Sequence, residues 1–299
     1  MPPAEVVEFT DPACSWAWGS EPKFRLLRWR YGDRLSWRRV MGGLVPNRLE
    51  REPAFDPVAP APRRADYWSK VSEHTGQPWP VHLRRVPVSS IEACLAVKAA
   101  ERQGEPQAAR LLRRLREACF VFGAPADTTE RILAVAGGID GLDLDRLAAD
   151  VVTPEVRDAY RADWEETRDP NEYVRSLREE HAGAGNAKEQ DGRWRYVFPT
   201  LLFRGPGGEH TVPGWQPWEA YVAAAEAAVP GSTTGASRPD PSADEAFAEW
   251  GVITERELAC LCGSAAEPPA GVVPYDWGAG MAWLTPAEAT ARGVAAPTP

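Results

Sequence analysis

The pattern of hydrophobic and polar residues predicts two short strands separated by a helix at the start of the chain. Residues 5–10 are rich in β-branched residues and precede a proline, which indicates a short buried strand. Helical spacing follows over residues 14–31, and a second strand is predicted over residues 35–41. This strand–helix–strand order favours a parallel pair of strands joined by a right-handed crossover.

The rest of the chain is predicted to contain a long helical block followed by a short region of strands. Residues 89–180 show helical spacing throughout. Strand patterns at residues 193–203 and 209–212 flank a glycine- and proline-rich turn, which predicts a hairpin. A closing helix is predicted over residues 218–229. Residues 230–243 are rich in Gly, Ser, Thr and Pro and read as a linker to a small tail with helical turns.

Composition narrows the class of protein. The 299 residues carry a net charge of −9, so an acidic chain without a basic run is a poor match for nucleic acid or an anionic membrane surface. No signal segment or apolar span is recognisable in the sequence. Five scattered cysteines, an odd number, argue against a secreted disulfide framework and favour a reducing compartment. We therefore expect a cytoplasmic protein.

Cys14 is the strongest candidate for chemistry because it lies at the predicted turn from the first strand into the first helix. The unpaired N–H groups of a helix start stabilise a thiolate, and a thiolate is the nucleophilic form of cysteine. We therefore expect the pKa of Cys14 to lie below its ordinary value of about 8.5 and Cys14 to be the most reactive thiol. The alternative is a buried cysteine that acts as a small hydrophobe.

Four stretches of the sequence together resemble a known family. Residues 9–22, 40–44, 198–201 and 214–218 resemble the DsbA-like thioredoxin proteins, and residues 250–254 resemble close relatives within it. The branch is similar to the FrnE-type oxidoreductases and to the adaptors that deliver the regulator Spx for proteolysis. The resemblance implies an α/β, thioredoxin-like fold with a DsbA-type helical insertion and a small C-terminal helical extension.

The predicted domain organisation follows from this resemblance and from the linker. A thioredoxin-like domain is expected over residues 1–229, with the helical insertion at about 57–190. The linker covers residues 230–243 and the extension residues 244–299.

The resemblance also implies a set of residues around the nucleophile Cys14. Pro199 matches the family's cis-proline, which faces the cysteine. A hydrophobic substrate groove around Cys14 is predicted to be formed by Trp16, Trp18, Phe198, Pro199 and Thr200, and Ser15 is a further predicted substrate-binding residue. No metal and no bound organic cofactor is implied, although a low-molecular-weight thiol is expected as a co-substrate.

The sequence departs from the family at Ala17, where a dithiol enzyme carries its second cysteine. Without that resolving thiol, an external thiol or another cysteine must release any mixed disulfide at Cys14. The leading hypothesis is a single-cysteine thiol–disulfide oxidoreductase or thiol transferase acting on protein or small thiols. One alternative is a non-catalytic adaptor for a protein partner. Another is a kappa-type glutathione-transferase-like enzyme or isomerase, in which Ser15 activates a thiol cofactor.

The remaining cysteines and charged residues are interpreted structurally. Cys94 and Cys119 fall within apolar helical patterns and are predicted core residues. Cys260 and Cys262 are too closely spaced for an easy disulfide and lack a second pair for zinc. The four histidines form no metal-like cluster. Four arginines are predicted to form the solvated face of one amphipathic helix: Arg110, Arg113, Arg114 and Arg116.

Overall fold

A four-stranded mixed sheet forms the centre of the fold in a computed structural model that describes residues 3–233, 238–276 and 280–294. The strands are β1 (Ala4–Thr10), β2 (Leu35–Met41), β3 (Lys188–Gln190), β4 (Arg193–Arg195), β5 (Thr200–Gly205), β6 (Gly208–Pro213), β7 (Val252–Thr254), β8 (Val273–Asp276) and β9 (Met281–Leu284). The helices are α1 (Ser15–Tyr31), α2 (Arg48–Arg51), α3 (Pro62–Thr75), α4 (Ile91–Glu101), α5 (Glu105–Phe120), α6 (Thr129–Ala136), α7 (Leu144–Asp150), α8 (Pro154–Thr167), α9 (Glu172–Ser176), α10 (Trp218–Ala228), α11 (Ala243–Trp250), α12 (Glu255–Cys262) and α13 (Pro286–Ala291).

The central sheet has the order β2–β1–β5–β6 and confirms the predicted strand–helix–strand opening. β1 runs parallel to β2 and antiparallel to β5, so that Phe9 pairs with both Val40 and Thr200. β5 and β6 form the predicted hairpin. α1 and α10 contribute Leu27 and Tyr221 to the apolar core on this sheet. The register brings the end of β1 and the start of β5 together, where the candidate site lies.

The segment between β2 and β5 contains helices α2 to α9, joined by loops, and the short β3–β4 hairpin. α4, α5, α6 and α7 share one apolar core. Cys94 and Cys119 are fully buried, as predicted for core residues.

The arginines of α5 correct the prediction of a solvated helix face. Arg113, Arg114 and Arg116 are buried, and Arg110 alone among the four is exposed. Each of the three buried arginines has a carboxylate partner, and most of these carboxylates belong to other elements. The sequence of α5 cannot show those partners, because they lie 95 to 174 residues away.

The tail differs from the predicted helical extension because it also contains a three-stranded antiparallel sheet, ordered β7–β9–β8. It packs against the body of the protein: Glu257 of α12 pairs with Arg25 of α1 and Arg113 of α5. Part of the predicted linker also packs on α1, since the Nε1 of Trp29 donates to the carbonyl of Pro239 at 2.7 Å. Residues 234–237 of that linker lie outside the described residues.

None of the helices in the described part of the chain is long and apolar enough to cross a membrane.

Candidate functional site

Cys14 lies directly between β1 and α1, at the N-cap of the helix, as the sequence predicts. Its Sγ accepts a hydrogen bond from the amide of Ala17 at 3.4 Å and donates to the carbonyl of Phe198 at 3.3 Å. The Phe198–Pro199 peptide bond is cis. The thiol is only 3% exposed, so the first turn of α1 and the start of β5 enclose it.

Burial decides the acidity of this thiol. It raises the pKa of Cys14 to about 11, although the Ala17 amide acts to lower it, and the nearby Asp11 adds to the increase. The expected lowering of the pKa is therefore wrong for this enclosed arrangement. A thiol with that pKa is ionised in roughly one molecule in ten thousand at pH 7. The hydrogen bond to the Phe198 carbonyl fits the protonated form, since a thiol can donate and a thiolate cannot.

Asp11 is a buried carboxyl group beneath the Cys14 turn that the sequence analysis did not identify as part of the site. Its Oδ2 accepts hydrogen bonds from the amide of Leu44 at 2.6 Å and the hydroxyl of Ser90 at 2.9 Å, and the thiol of Cys94 lies 3.5 Å away. Burial raises the pKa of Asp11. An aspartate directly after a buried strand was the available signal, but the pattern was interpreted only as a strand end.

Trp16 and Trp18, predicted to line one groove, point to different regions. Residues two apart on a helix are separated by about 200° around its axis. Trp16 is half-buried beside the Cys14 cluster. Trp18 is 3% exposed, donates from Nε1 to the Pro78 carbonyl and stacks on Phe120, so it belongs to the core. The prediction that Trp18 lines the substrate groove is wrong.

Phe198, Pro199 and Thr200 precede or begin β5 next to the Cys14 turn, and we call these three residues the floor of the site. Phe198 is 2% exposed, Pro199 is buried, and the buried Thr200 donates from its hydroxyl to the carbonyl of Val197 at 2.7 Å. The Phe198 carbonyl faces Cys14, and its ring lies against Gly42. Phe198 therefore contacts the thiol, whereas the substrate-binding roles of Phe198, Pro199 and Thr200 stay predictions, and all three residues are buried.

Trp16 packs against the apolar cluster that contains Cys14 and is hydrogen-bonded to Tyr67, and we call these two residues the cover. Nε1 of Trp16 donates to the hydroxyl of Tyr67 at 2.9 Å. Ser15 is buried and also hydrogen-bonds Tyr67; burial raises the pKa of Tyr67, and a thiolate at Cys14 would add to the increase. The ring of His74 lies 5.4 Å from that of Trp16. Tyr67 comes from α3, and no local pattern could associate it with Cys14.

Among the described residues, the cysteines form no disulfide and the potential metal ligands form no cluster. All five cysteines are free thiols. Across residues 3–233, 238–276 and 280–294, His, Cys, Asp and Glu form no group of three that could hold a metal ion.

Comparison with known proteins places the chain in a family. Residues 8–171, more than half of the chain, match the family model described as Thioredoxin. The protein named ClpXP adapter protein SpxH from Shouchella clausii is 25% identical over 300 residues, covering 94% of this chain and 89% of that protein. The SpxH protein of Halalkalibacterium halodurans is 30% identical over 169 residues, which is 56% of this chain and 55% of that protein.

A solved structure agrees at the level of the fold. The cytosolic disulfide reductase DsbM from Pseudomonas aeruginosa superposes with a TM-score of 0.51 at 18% identity, covering 73% of this chain and 97% of DsbM. At that identity the likeness shows the shared DsbA-like fold only. The match over residues 8–171 shows that the chain belongs to the thioredoxin family, with sequence similarity to the SpxH proteins and a fold similar to that of DsbM.

Proposed function

We propose that this protein carries out thiol–disulfide exchange through a single thiol, Cys14. The observation that supports this most directly is the position of Sγ, at the N-cap of α1 and 3.3 Å from the carbonyl that precedes Pro199. Ala17 stands in the next turn, where a dithiol enzyme of this family has its second cysteine. The site therefore offers one nucleophile and no resolving partner at that position.

The chemistry proceeds in two displacements. Cys14 loses its proton to solvent, and its thiolate attacks one sulfur of a disulfide. A disulfide forms between Cys14 and that sulfur, while the other sulfur leaves as a thiolate. A second, external thiolate then attacks the mixed disulfide and releases Cys14. No net oxidant is consumed, because each step exchanges one S–S bond for another. A low-molecular-weight thiol of a reducing cytoplasm would serve as the external thiolate.

The residues that enclose the Cys14 thiol must move apart before the thiol can react. With a pKa of about 11 the thiolate is scarce at neutral pH, and a thiol that is 3% exposed leaves no room for in-line attack. Displacement of the cover by a partner would admit water and substrate and reverse the effect of burial on the pKa. We therefore propose that substrate binding and thiol activation are coupled through Trp16 and Tyr67.

A second candidate function is a protein adaptor. The names of the two SpxH relatives support it, and one of them aligns over 94% of this chain. The enclosed, protonated thiol also suits binding without turnover. In this alternative the surface around the cover or the tail holds a protein partner by packing.

Partner trapping in cells separates these functions. Wild-type protein should form mixed disulfides that reductant reverses on a non-reducing gel, because nothing at residue 17 resolves them. Cys14→Ser should abolish these species, and the matched control Cys260→Ser, which alters a half-buried thiol of the tail, should retain them. If Cys14→Ser recovers the same partners as wild type, the protein is an adaptor and the exchange proposal fails.

A further inference from the structure

Buried arginines fall into two groups according to their partners. Among the described residues, five buried arginines lie within 4.0 Å of a carboxylate oxygen, namely Arg25, Arg39, Arg113, Arg114 and Arg116. Arg168 and Arg195, which are 6% and 9% exposed, have none within that distance in the described chain. A buried cation without a counter-charge is costly, so these two need an explanation.

Arg168 follows α8 and reaches under the loop after β2. Its Nη1 donates to the carbonyl of Gly42 at 2.7 Å and to the hydroxyl of Thr167 at 2.5 Å. Its guanidinium lies 4.0 Å from the ring centroid of Trp164. Its Nε and Nη2 donate to no described residue.

Arg195 ends β4 and approaches the same place from the other side. Its Nε donates to the side chain of Gln190, and its Nη1 donates to the carbonyl of Tyr196, both at 2.7 Å. Its guanidinium lies 4.8 Å from the ring centroid of Phe198. Its Nη2 donates to no described residue.

Both guanidinium groups are neighbours of the Cys14 site. Phe198 connects them, because its carbonyl accepts from Cys14, its ring contacts Gly42, and Arg195 lies over that ring. Arg168 donates to the carbonyl of the same Gly42. The two arginines therefore flank the floor of the thiol site.

The unused donors are not completely enclosed, and the local charge is unbalanced. None of the three free nitrogens is among the fully enclosed polar atoms that lack a partner. Burial and the neighbouring Arg195 lower the pKa of Arg168 to about 10. The carboxylates that act on these cations lie more than 4.0 Å away: Asp191, which acts on Arg168, pairs with Arg51 at 2.6 Å, and the buried Asp11 acts on Arg195. Aromatic faces stabilise these cations but do not neutralise them.

We infer that Arg168 and Arg195 form a binding site for the carboxylate of the thiol or disulfide that reacts at Cys14. Guanidinium forks bind carboxylates with short, charge-assisted hydrogen bonds, and this pair carries free N–H groups around Phe198, whose carbonyl accepts from Cys14. The inference rests on the proposed exchange function and specifies its substrate class as low-molecular-weight thiols and disulfides that carry a carboxylate.

Three small disulfides with the same two-carbon arms test this selectivity: 3,3′-dithiodipropionate, bis(2-hydroxyethyl) disulfide and cystamine, which are anionic, neutral and cationic. The initial rate of mixed-disulfide formation at Cys14 is measured by intact-protein mass spectrometry, with Cys14→Ser as the blank. Each rate is divided by the rate of the same disulfide with N-acetylcysteine amide.

The wild-type protein should prefer the dicarboxylate, and Arg168→Gln or Arg195→Gln should each lower that relative rate about tenfold, since each removes a charge-assisted contact. The rates with the other two disulfides should change less than twofold. Arg193→Gln is the matched control, because Arg193 lies on the same hairpin but is already paired with Glu165. Absence of a preference, or an equal fall for all three reagents, overturns the inference.

A binding measurement separates this inference from the exchange function. The unreactive thioether 3,3′-thiodipropionate should raise the melting temperature of wild-type protein, and bis(2-hydroxyethyl) sulfide should not. If no disulfide reacts at Cys14 but this shift occurs and vanishes in Arg195→Gln, exchange fails and the carboxylate site stands. If neither reaction nor shift occurs, both fail.

Discussion

The interface between body and tail and the surroundings of Cys14 both bury arginine, but only the first balances its charge. At the interface, Arg113 and Arg25 of the body face Glu257 of the tail, and within the adjoining body Arg116 faces Glu8 and Glu21. Beside Cys14, Arg168 and Arg195 face aromatic rings and carbonyl groups. A satisfied buried network fixes parts of a fold relative to one another, whereas an unbalanced one can still bind a ligand.

The largest expected effect comes from breaking the balanced network at Glu257. This carboxylate is fully buried and receives two hydrogen bonds from Arg113, at 2.6 and 2.9 Å. Glu257→Ala would remove the carboxylate that lies within 4.0 Å of the buried Arg25 and would leave Arg113 paired with Glu117 alone. We expect the free energy of unfolding to fall by about 3–5 kcal/mol in urea denaturation.

Glu255→Ala is the control for this change, because Glu255 lies on the same helix but is exposed. It should alter the free energy of unfolding by less than about 0.5 kcal/mol. A loss below about 1 kcal/mol for Glu257→Ala, with the tail still protease-resistant, would show that the ion network does not hold the tail to the body.

The second largest expected effect is the weakening of the same ion network by acid. Burial acts to raise the pKa of Glu21, but Arg116, Arg113 and Arg25 more than offset it and hold the value at about 2. A carboxyl group whose pKa is lower in the folded state stabilises the fold above its unfolded pKa of about 4.5, and this contribution is lost as the pH falls towards 2. The loss should be on the order of 3 kcal/mol, measured by denaturation from pH 5 to pH 2.

Glu21→Gln isolates that contribution because the amide cannot titrate. The variant should be less stable than wild type at pH 6, and its stability should depend less on pH between 5 and 2. An unchanged pH dependence would assign the acid sensitivity to other carboxylates of the network.

Local patterns were sufficient for the central sheet and the helical block. The strands at residues 5–10 and 35–41 could be predicted because burial and β-branched residues act on consecutive residues. The burial of the arginines of α5 could not be predicted, because buried and solvated arginines have the same spacing in sequence. Their partners Glu21, Glu257 and Glu288 are distant in the chain, and only the tertiary fold brings them together.

Only part of the candidate site could be predicted, because several of its residues are brought together by the tertiary fold alone. Cys14 and Pro199 belong to short motifs, and the structure places them together. The pKa of the thiol depends on its burial, which no local spacing reveals, and burial outweighs the helix N-terminus. Tyr67 and Arg195 reach the site from a helix and a hairpin that carry no motif, so sequence alone could not identify them.

Gly42→Ala should perturb the region around Cys14, where Arg168 and Arg195 lack a carboxylate partner, without altering the ion network of Glu257. A Cβ atom there would lie 2.0 Å from the Phe198 ring, so Gly42→Ala forces the ring, and the carbonyl that accepts from Cys14, to shift. We expect the free energy of unfolding to fall by about 1–3 kcal/mol and the alkylation rate of Cys14 to increase. Gly192→Ala is not a clean control, because Gly192 has a φ of 76° that disfavours alanine.

Gly137→Ala is a better matched control for this change. Its Cβ atom would lie no closer than 3.3 Å to any neighbour, and it is distant from Cys14 in the chain. It should leave the alkylation rate unchanged. If Gly42→Ala lowers stability but Cys14 reacts as in wild type, contact with the Phe198 carbonyl does not keep the thiol protonated.

The smallest expected effect comes from loosening the cover of Cys14. Tyr67→Phe removes the hydroxyl that accepts from Nε1 of Trp16 at 2.9 Å, and since Tyr67 is 46% exposed, water can take its place. Loss of one such hydrogen bond should raise the iodoacetamide alkylation rate of Cys14 at pH 8 about three- to tenfold, with little change in stability. Tyr173→Phe, at a tyrosine that is 53% exposed, should leave that rate unchanged. An unaltered rate in Tyr67→Phe would show that opening of the cover does not limit access to Cys14, and that the burial which raises its pKa comes from the floor alone.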